Sequence, residues 1–318
     1  MTRLVGHDDQ RQALEAAWRS GTPHHAWLLT GPRGVGKRTF ARAASSMVLS
    51  GATSFTDGYD SDAATKLEAG SHPDFRALAR SENPNTGKLR TEIVVDDVRA
   101  IGDMLSRHPS LSDWRTVIID SACEMNRNAA NALLKNLEEP PKRTVFFLVC
   151  HNPGRLLPTI RSRCRALAFR PLGDDDVRTV LAAELDGKAD DALVDIARGS
   201  PGRAISYAGL DVTALMTSLT ALRRAGPRDA AQLAGALASE LGRKGGSARY
   251  EAFLDLVPSY LAQAAKEADP AELEAALTVW EEARDLAGMA LSKALDPATI
   301  IYQLARLVSR APNHRQAA

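Results

Sequence analysis

Eight residues, Gly31-Pro32-Arg33-Gly34-Val35-Gly36-Lys37-Arg38, constrain this chain more than any others. The glycines and lysine fit the phosphate-binding pattern G-x-x-x-x-G-K-[S/T], with Arg38 where a hydroxyl should stand. The apolar run Trp27-Leu28-Leu29-Thr30 leads directly into Gly31 and reads as a buried strand. The Ala- and Met-rich segment Thr39 to Leu49 reads as a helix. Strand, loop, helix is the context in which such a loop cradles phosphate. Backbone N–H groups at the helix start attract the anion, Lys37 adds a point charge, and Gly31, Gly34 and Gly36 let the backbone curl close. Arg38 cannot ligate Mg²⁺, because a guanidinium only donates. Thr39 carries a hydroxyl but lies one position late. The loop therefore suits holding a phosphate better than breaking one, and ATP or ADP held weakly is the cofactor it implies.

A second element points the same way. Thr116-Val117-Ile118-Ile119-Asp120 reads as a buried strand closed by a carboxylate. In nucleoside triphosphatases that aspartate helps hold Mg²⁺, and an acid beside it polarises the attacking water. The residue after Asp120 is Ser121, a feeble base near neutral pH. Glu124 lies about a helical turn further on, which places it too far to substitute. Asp120 reads equally well as a plain strand-end cap.

Length and composition bound the rest. With 318 residues and 44% hydrophobic content, the chain has material for two or three domains. Its 40 basic and 39 acidic residues nearly cancel, which argues against affinity resting on a global positive field. No long apolar span or secretory leader is evident, so a soluble cytoplasmic protein without membrane contact is expected. Cys123, Cys150 and Cys164 fit no paired-cysteine metal spacing and read as small buried hydrophobes.

Along the chain, strands are expected near 26–30, 74–79, 116–120, 145–150 and 166–169, alternating with helices as in a parallel α/β sheet. Residues 51–72 read as loop or weak helix, Ser81 to Arg90 as a surface loop, and Ile93 to Leu105 as a helix. Gly173-Asp174-Asp175-Asp176 opens helices near 174–185 and 189–198, and a further one is expected from Arg203. After about 210 the chain reads as helix throughout. Its apolar stripes are Leu215, Leu219 and Leu222, then Leu233, Leu237 and Leu241, then Ile300, Leu304, Leu307 and Val308. Asp269-Pro270-Ala271-Glu272 and Asp296-Pro297 both read as helix starts.

Two further motifs carry a family resemblance. They are Asn131-Ala132-Leu133-Leu134-Lys135-Asn136-Leu137-Glu138-Glu139-Pro140-Pro141, and Leu157-Pro158-Thr159-Ile160-Arg161-Ser162-Arg163-Cys164. With the phosphate loop, they resemble bacterial clamp-loader subunits of the AAA+ family, those of the DNA polymerase III holoenzyme, over most of residues 1–205. The resemblance implies an α/β fold: an AAA+ P-loop nucleotide domain with a parallel sheet at 1–170, a small helical lid at 171–209, and an all-α collar for oligomerisation at 210–318. It implies a subunit without ATPase of its own, a stator in DNA replication. Such a subunit joins the gamma/tau ATPase subunits and the delta subunit through the collar, and meets the sliding clamp and primed DNA only through the assembled complex. It also implies that Arg163, in the Ser162-Arg163-Cys164 triplet, is an arginine finger serving a neighbour's ATP in trans. An internal salt bridge is the plainer reading of Arg163. Arg203 resembles the lid arginine that senses phosphate, and Asn152 falls near a polar sensor position. The competing reading is an active AAA+ ATPase, a loader motor or a DNA-remodelling enzyme; Arg38 and Ser121 speak against it. Many relatives carry a four-cysteine zinc module before a His-Pro-Asp segment. Here His72-Pro73-Asp74 is present but residues 46–71 contain no cysteine, so no zinc is expected by that route.

Overall fold

The computed structural model describes residues 2–84, 87, 89–185, 191–242, 248–292 and 295–312. Parts of the expected 81–90 loop and 189–198 helix lie outside them. The chain divides into two compact units, Met1–Ile205 and Ser206–Ala318.

The first unit is built on five strands: β1 (Ala26–Thr30), β2 (Phe75–Leu78), β3 (Arg115–Ile119), β4 (Thr144–Cys150) and β5 (Arg165–Ala168). They form one sheet in the order β2-β3-β4-β1-β5, with every pair parallel. All seven residues of β4 are buried. A parallel strand covered on both faces has no polar side to alternate with, so it reads as an unbroken apolar run. The side chains nevertheless divide by parity. Trp27, Leu29, Val145, Phe147 and Val149 join a core with Phe40, Met47 and Phe55 on one face. Leu28, Phe146, Leu148, Val117 and Ile119 join Val98, Leu133, Leu137 and Ile160 on the other.

The covering helices are α1 (Asp8–Arg19), α2 (Lys37–Ser50), α3 (Phe55–Tyr59), α4 (Asp62–Glu68), α5 (Val95–Arg99), α6 (Gly102–Ser106), α7 (Arg127–Glu138) and α8 (Pro158–Arg161). The weakly patterned stretch after α2 forms α3 and α4 because serines cap both. The Ser54 and Ser61 hydroxyls accept from the Asp57 and Ala64 N–H groups. The single helix expected over Ile93 to Leu105 is instead the pair α5 and α6. Gly102 is a poor helix former, and the buried Arg115 guanidinium claims the carbonyls of Met104 at 2.9 Å, Leu105 at 2.8 Å and Arg107. Asp74, from the His-Pro-Asp segment, has a structural task. Its carboxylate accepts from Ser110 N–H and hydroxyl, Leu111 N–H and Ser112 N–H. Burial alone would raise that carboxyl, but these donors outweigh it and hold it below the usual carboxylate range.

The remaining helices of this unit are α9 (Asp174–Glu184), α10 (Asp191–Ala197) and α11 (Pro201–Tyr207), whose last two residues are counted with the second unit. Val177, Leu181, Val194, Ala197 and Ala204 form their common core. The last begins at Pro201, two residues before the expected Arg203.

The second unit consists of α12 (Val212–Arg224), α13 (Pro227–Gly242), α14 (Ala248–Lys266), α15 (Leu273–Ser292) and α16 (Pro297–Arg310). Leu215, Leu219 and Leu222 are buried as a stripe, as are Ile300, Leu304, Leu307 and Val308. The stripe expected on α13 needs correcting: Leu233 is exposed, and Ala230, Ala234, Leu237, Ala238 and Leu241 form the buried face. Small alanines carry that face, which leaves a weak apolar signal in the sequence. Asp296 caps α16 through the Thr299 N–H as expected. Asp269 does not cap α15: its carbonyl accepts from Glu272 N–H in a separate turn, and the helix begins at Leu273. Among the described residues no single helix is long and apolar enough to cross a membrane.

Candidate functional site: a phosphate loop closed by an arginine

The loops after β1, β3 and β4 all leave the carboxyl edge of the sheet, the edge at which open parallel sheets place their ligands. Between β1 and α2 the chain turns through Gly31, Gly34 and Gly36, with φ of +142°, +78° and +110°. Two of these need glycine for space as well. A Cβ on Gly31 would lie 2.3 Å from the Phe169 carbonyl oxygen. One on Gly34 would lie 2.8 Å from the Arg203 backbone nitrogen. That second approach is sealed by a hydrogen bond, with Gly202 N–H donating to the Gly34 carbonyl at 2.9 Å.

A cavity of about 440 Å³ opens over this loop. Of the residues singled out from the sequence, Gly34, Gly36, Lys37, Thr39 and Asp120 line it. Gly31 sits just beneath, its carbonyl accepting from the Lys37 ammonium at 2.7 Å, while the Pro32 carbonyl accepts at 2.5 Å. On the α11 side the wall is made by Pro201, Gly202 and Ile205, while Arg203 meets the phosphate loop through its backbone. At the end of β4 the lining residue is His151, one position before the sensor candidate Asn152.

Arg38 is the residue that sets the chemistry. Its guanidinium lies 3.3 Å from an Asp120 carboxylate oxygen, with the arginine largely exposed. A pair this exposed is worth at most about 1 kcal/mol, but its position matters more than its strength. It occupies the two places from which a complete site of this kind holds Mg²⁺: the position after the lysine and the carboxylate closing β3. Magnesium demands oxygen ligands in near-octahedral array. Arg38 offers none, and Asp120 is already committed to a fixed positive charge. These residues do not fit the ion.

Ser121 sits in the left-handed region at φ +58° and lines the cavity. The chain then tightens into the 3₁₀ turn Ala122–Glu124. That turn brings Glu124 closer to the loop than the sequence spacing suggested: its carboxylate lies 4.0 Å from Arg33, 3.1 Å from Arg80 and 3.6 Å from the His151 ring. Neither Arg80 nor His151 belongs to a sequence motif. Both are recruited by one carboxylate that is mostly buried. Glu124 is thus engaged by two guanidinium groups and the His151 ring, and it is not among the residues that line the cavity. Behind the loop, Cys123 lies 3.4 Å from the His151 Nδ1. The hydrogen bond with Cys150 is the main influence pulling the Cys123 thiol down; burial opposes it and His151 adds to it, while the same bond pushes Cys150 up.

Lys37 is almost wholly buried, and desolvation lowers its ammonium to about 8. The ordinary value is 10.5, so the unfolded chain binds more protons between about 8 and that value. The cost of burying the charge is full below about 8 and fades above it. Thermal melts of the parent and of Lys37→Met should therefore shift relative to one another, the parent gaining as pH rises from 7 to 10. A difference that is flat with pH would show that Lys37 titrates normally.

Arg163 lies away from the cavity, just beyond α8. It pairs with Glu138 at the end of α7 at 2.9 Å and donates to the Thr159 carbonyl at 3.0 Å. The internal salt bridge weighed from the sequence is therefore present. Its side chain remains about a third exposed. Arg165 lies over the Trp27 ring at 5.0 Å. Cys123 and Cys150 are buried and Cys164 half-buried. His72 is a buried turn residue that accepts from the Asp74 N–H at 3.2 Å.

The family described as DNA polymerase III, delta subunit, matches residues 6–173. The DNA polymerase III subunit delta' of Escherichia coli is 34% identical over 201 residues, which is 61% of this chain and 58% of that protein. The subunit delta' of Pseudomonas aeruginosa is 41% identical over 157 residues, 48% of this chain and 46% of that one. A DNA polymerase III subunit gamma of Buchnera aphidicola is 32% identical over 213 residues, 64% of this chain and 56% of the relative. In each case the chain spans less than two thirds of the relative it matches.

Proposed function

The chain belongs to the DNA polymerase III delta-subunit family, and we propose that it is a clamp-loader subunit of the delta-prime kind, a stator that does not hydrolyse ATP. The observation that carries this reading is the Arg38–Asp120 ion pair, which fills both metal-holding positions with a fixed charge and its counterion. Beside it stands Ser121 where hydrolysis would need an acid. A protein of this design contributes shape to an assembly, and its chemistry is delivered elsewhere.

The delivery point is Arg163. A guanidinium placed against a neighbour's γ-phosphate stabilises the charge of the transition state. On this reading the Glu138 contact holds the side chain ready and opens as the neighbour docks. Arg203, with its backbone against the phosphate loop, takes a structural part and not a sensing one. The helical unit from Ser206 onward serves as the collar that joins the gamma/tau and delta subunits, and the sliding clamp and primed DNA are met through the complex.

The competing reading, an active ATPase motor, is favoured by the intact glycine–lysine loop alone. Reconstitution tests the assembly part. The whole chain mixed with gamma/tau and delta subunits should elute as one complex by size exclusion, and a chain ending at residue 209, beyond the end of α11, should not enter it. Stable incorporation of the truncated chain would overturn the collar assignment.

A further inference from the structure

The misfit between this pocket and a divalent cation has a consequence for what the pocket binds. We propose that it takes the polyphosphate of a nucleoside di- or triphosphate without a metal ion, the Arg38 guanidinium standing where Mg²⁺ stands in a complete phosphate loop. The inference rests on reading the cavity as a nucleotide site; it does not depend on Arg163.

Three observations carry it. The cavity is shaped for phosphate: glycines at positive φ bring backbone close, and α2, fourteen residues long, begins at Lys37. Second, its charge is positive without any added cation. Arg33, Lys37 and Arg38 line the wall against Asp120, while Arg3 and Glu184 add one charge of each sign. Third, the cationic groups keep N–H donors beyond those their present partners take, since a guanidinium has five and an ammonium three. Arg38 pairs with Asp120 at 3.3 Å, Arg33 with Glu124 at 4.0 Å, and Lys37 donates to the carbonyls of its own loop. A phosphate entering the cavity can therefore accept from these groups while Arg38 stays on Asp120. A guanidinium remains charged at every accessible pH and meets phosphate through two parallel N–H donors. It therefore neutralises the anion as a metal would. Unlike Mg²⁺, it cannot be chelated away, and it cannot activate water.

The pocket should accordingly hold nucleotide equally well in Mg²⁺ and in EDTA. The experiment is calorimetric titration of the purified full-length chain with ADP and with ATP, in both conditions. The expected result is binding whose dissociation constant differs by no more than about twofold between them, a difference close to thermal energy. The variant Arg38→Thr restores the hydroxyl and frees Asp120. It should bind about tenfold more tightly in Mg²⁺ than in EDTA, the return of an ordinary metal-assisted site. Because Arg38 is largely exposed, the variant should keep the parent's melting temperature, which circular dichroism checks. Two results would overturn the proposal: no binding of either nucleotide in EDTA, or parent affinity that rises at least about tenfold on adding Mg²⁺. Neither result bears on the arginine-finger reading, which is measured on the assembled complex.

Discussion

Arg163→Ala should leave this chain folded and competent to assemble while slowing ATP hydrolysis at the adjoining subunit by about 10³-fold or more. The two halves of that expectation come from different observations. Stability should change little, because the Arg163–Glu138 pair is exposed on both sides, and pairs of that kind contribute about 1 kcal/mol or less. Catalysis should change greatly, because a finger acts only where charge develops in the transition state. Single-turnover hydrolysis in the reconstituted complex reads the site concerned more cleanly than a summed steady-state rate. Arg163→Lys should rescue little, since an ammonium lacks the planar fork. Unchanged single-turnover hydrolysis would identify the salt bridge to Glu138 as the whole role of Arg163.

Phe147→Ala should destabilise the first unit by about 3–5 kcal/mol, the range for removing a buried aromatic side chain. Phe147 is fully buried on β4, pairs with Trp27 of β1 and Ile118 of β3 in the ladder, and belongs to the core cluster that includes Phe40 and Phe55. The loss is a large part of the roughly 5–15 kcal/mol that holds a domain together. Urea denaturation followed by circular dichroism should show a midpoint shift with an unchanged slope. A shift under about 1 kcal/mol would mean that the cavity collapses, and that the core is looser than its burial suggests.

How much of this was legible in the sequence depends on what kind of signal each element leaves. The three inner strands β1, β3 and β4 were legible because a parallel strand covered on both faces is a short apolar run with turn residues at its ends, as Trp27-Leu28-Leu29 before Gly31 shows. The phosphate loop was legible because its glycines are demanded by backbone geometry. Features that depend on long-range pairing were not. Nothing local announces that Arg115 will take the carbonyls that end α6, or that Glu124 will gather Arg33, Arg80 and His151. The buried face of α13 was misread because alanine carries little hydrophobic signal, so Leu233 looked like core. At the site, Arg38 was legible as a defect. That its guanidinium lies against Asp120 follows from the sheet, which brings the loops after β1 and β3 to the same carboxyl edge.

The central claim is that this pocket is built to hold phosphate and not to break it. The most direct measurement is phosphate release by the isolated full-length chain in saturating Mg-ATP. Release indistinguishable from buffer is the predicted result, for the parent and for Lys37→Ala alike. Sustained, magnesium-dependent release that Lys37→Ala abolishes would contradict the account.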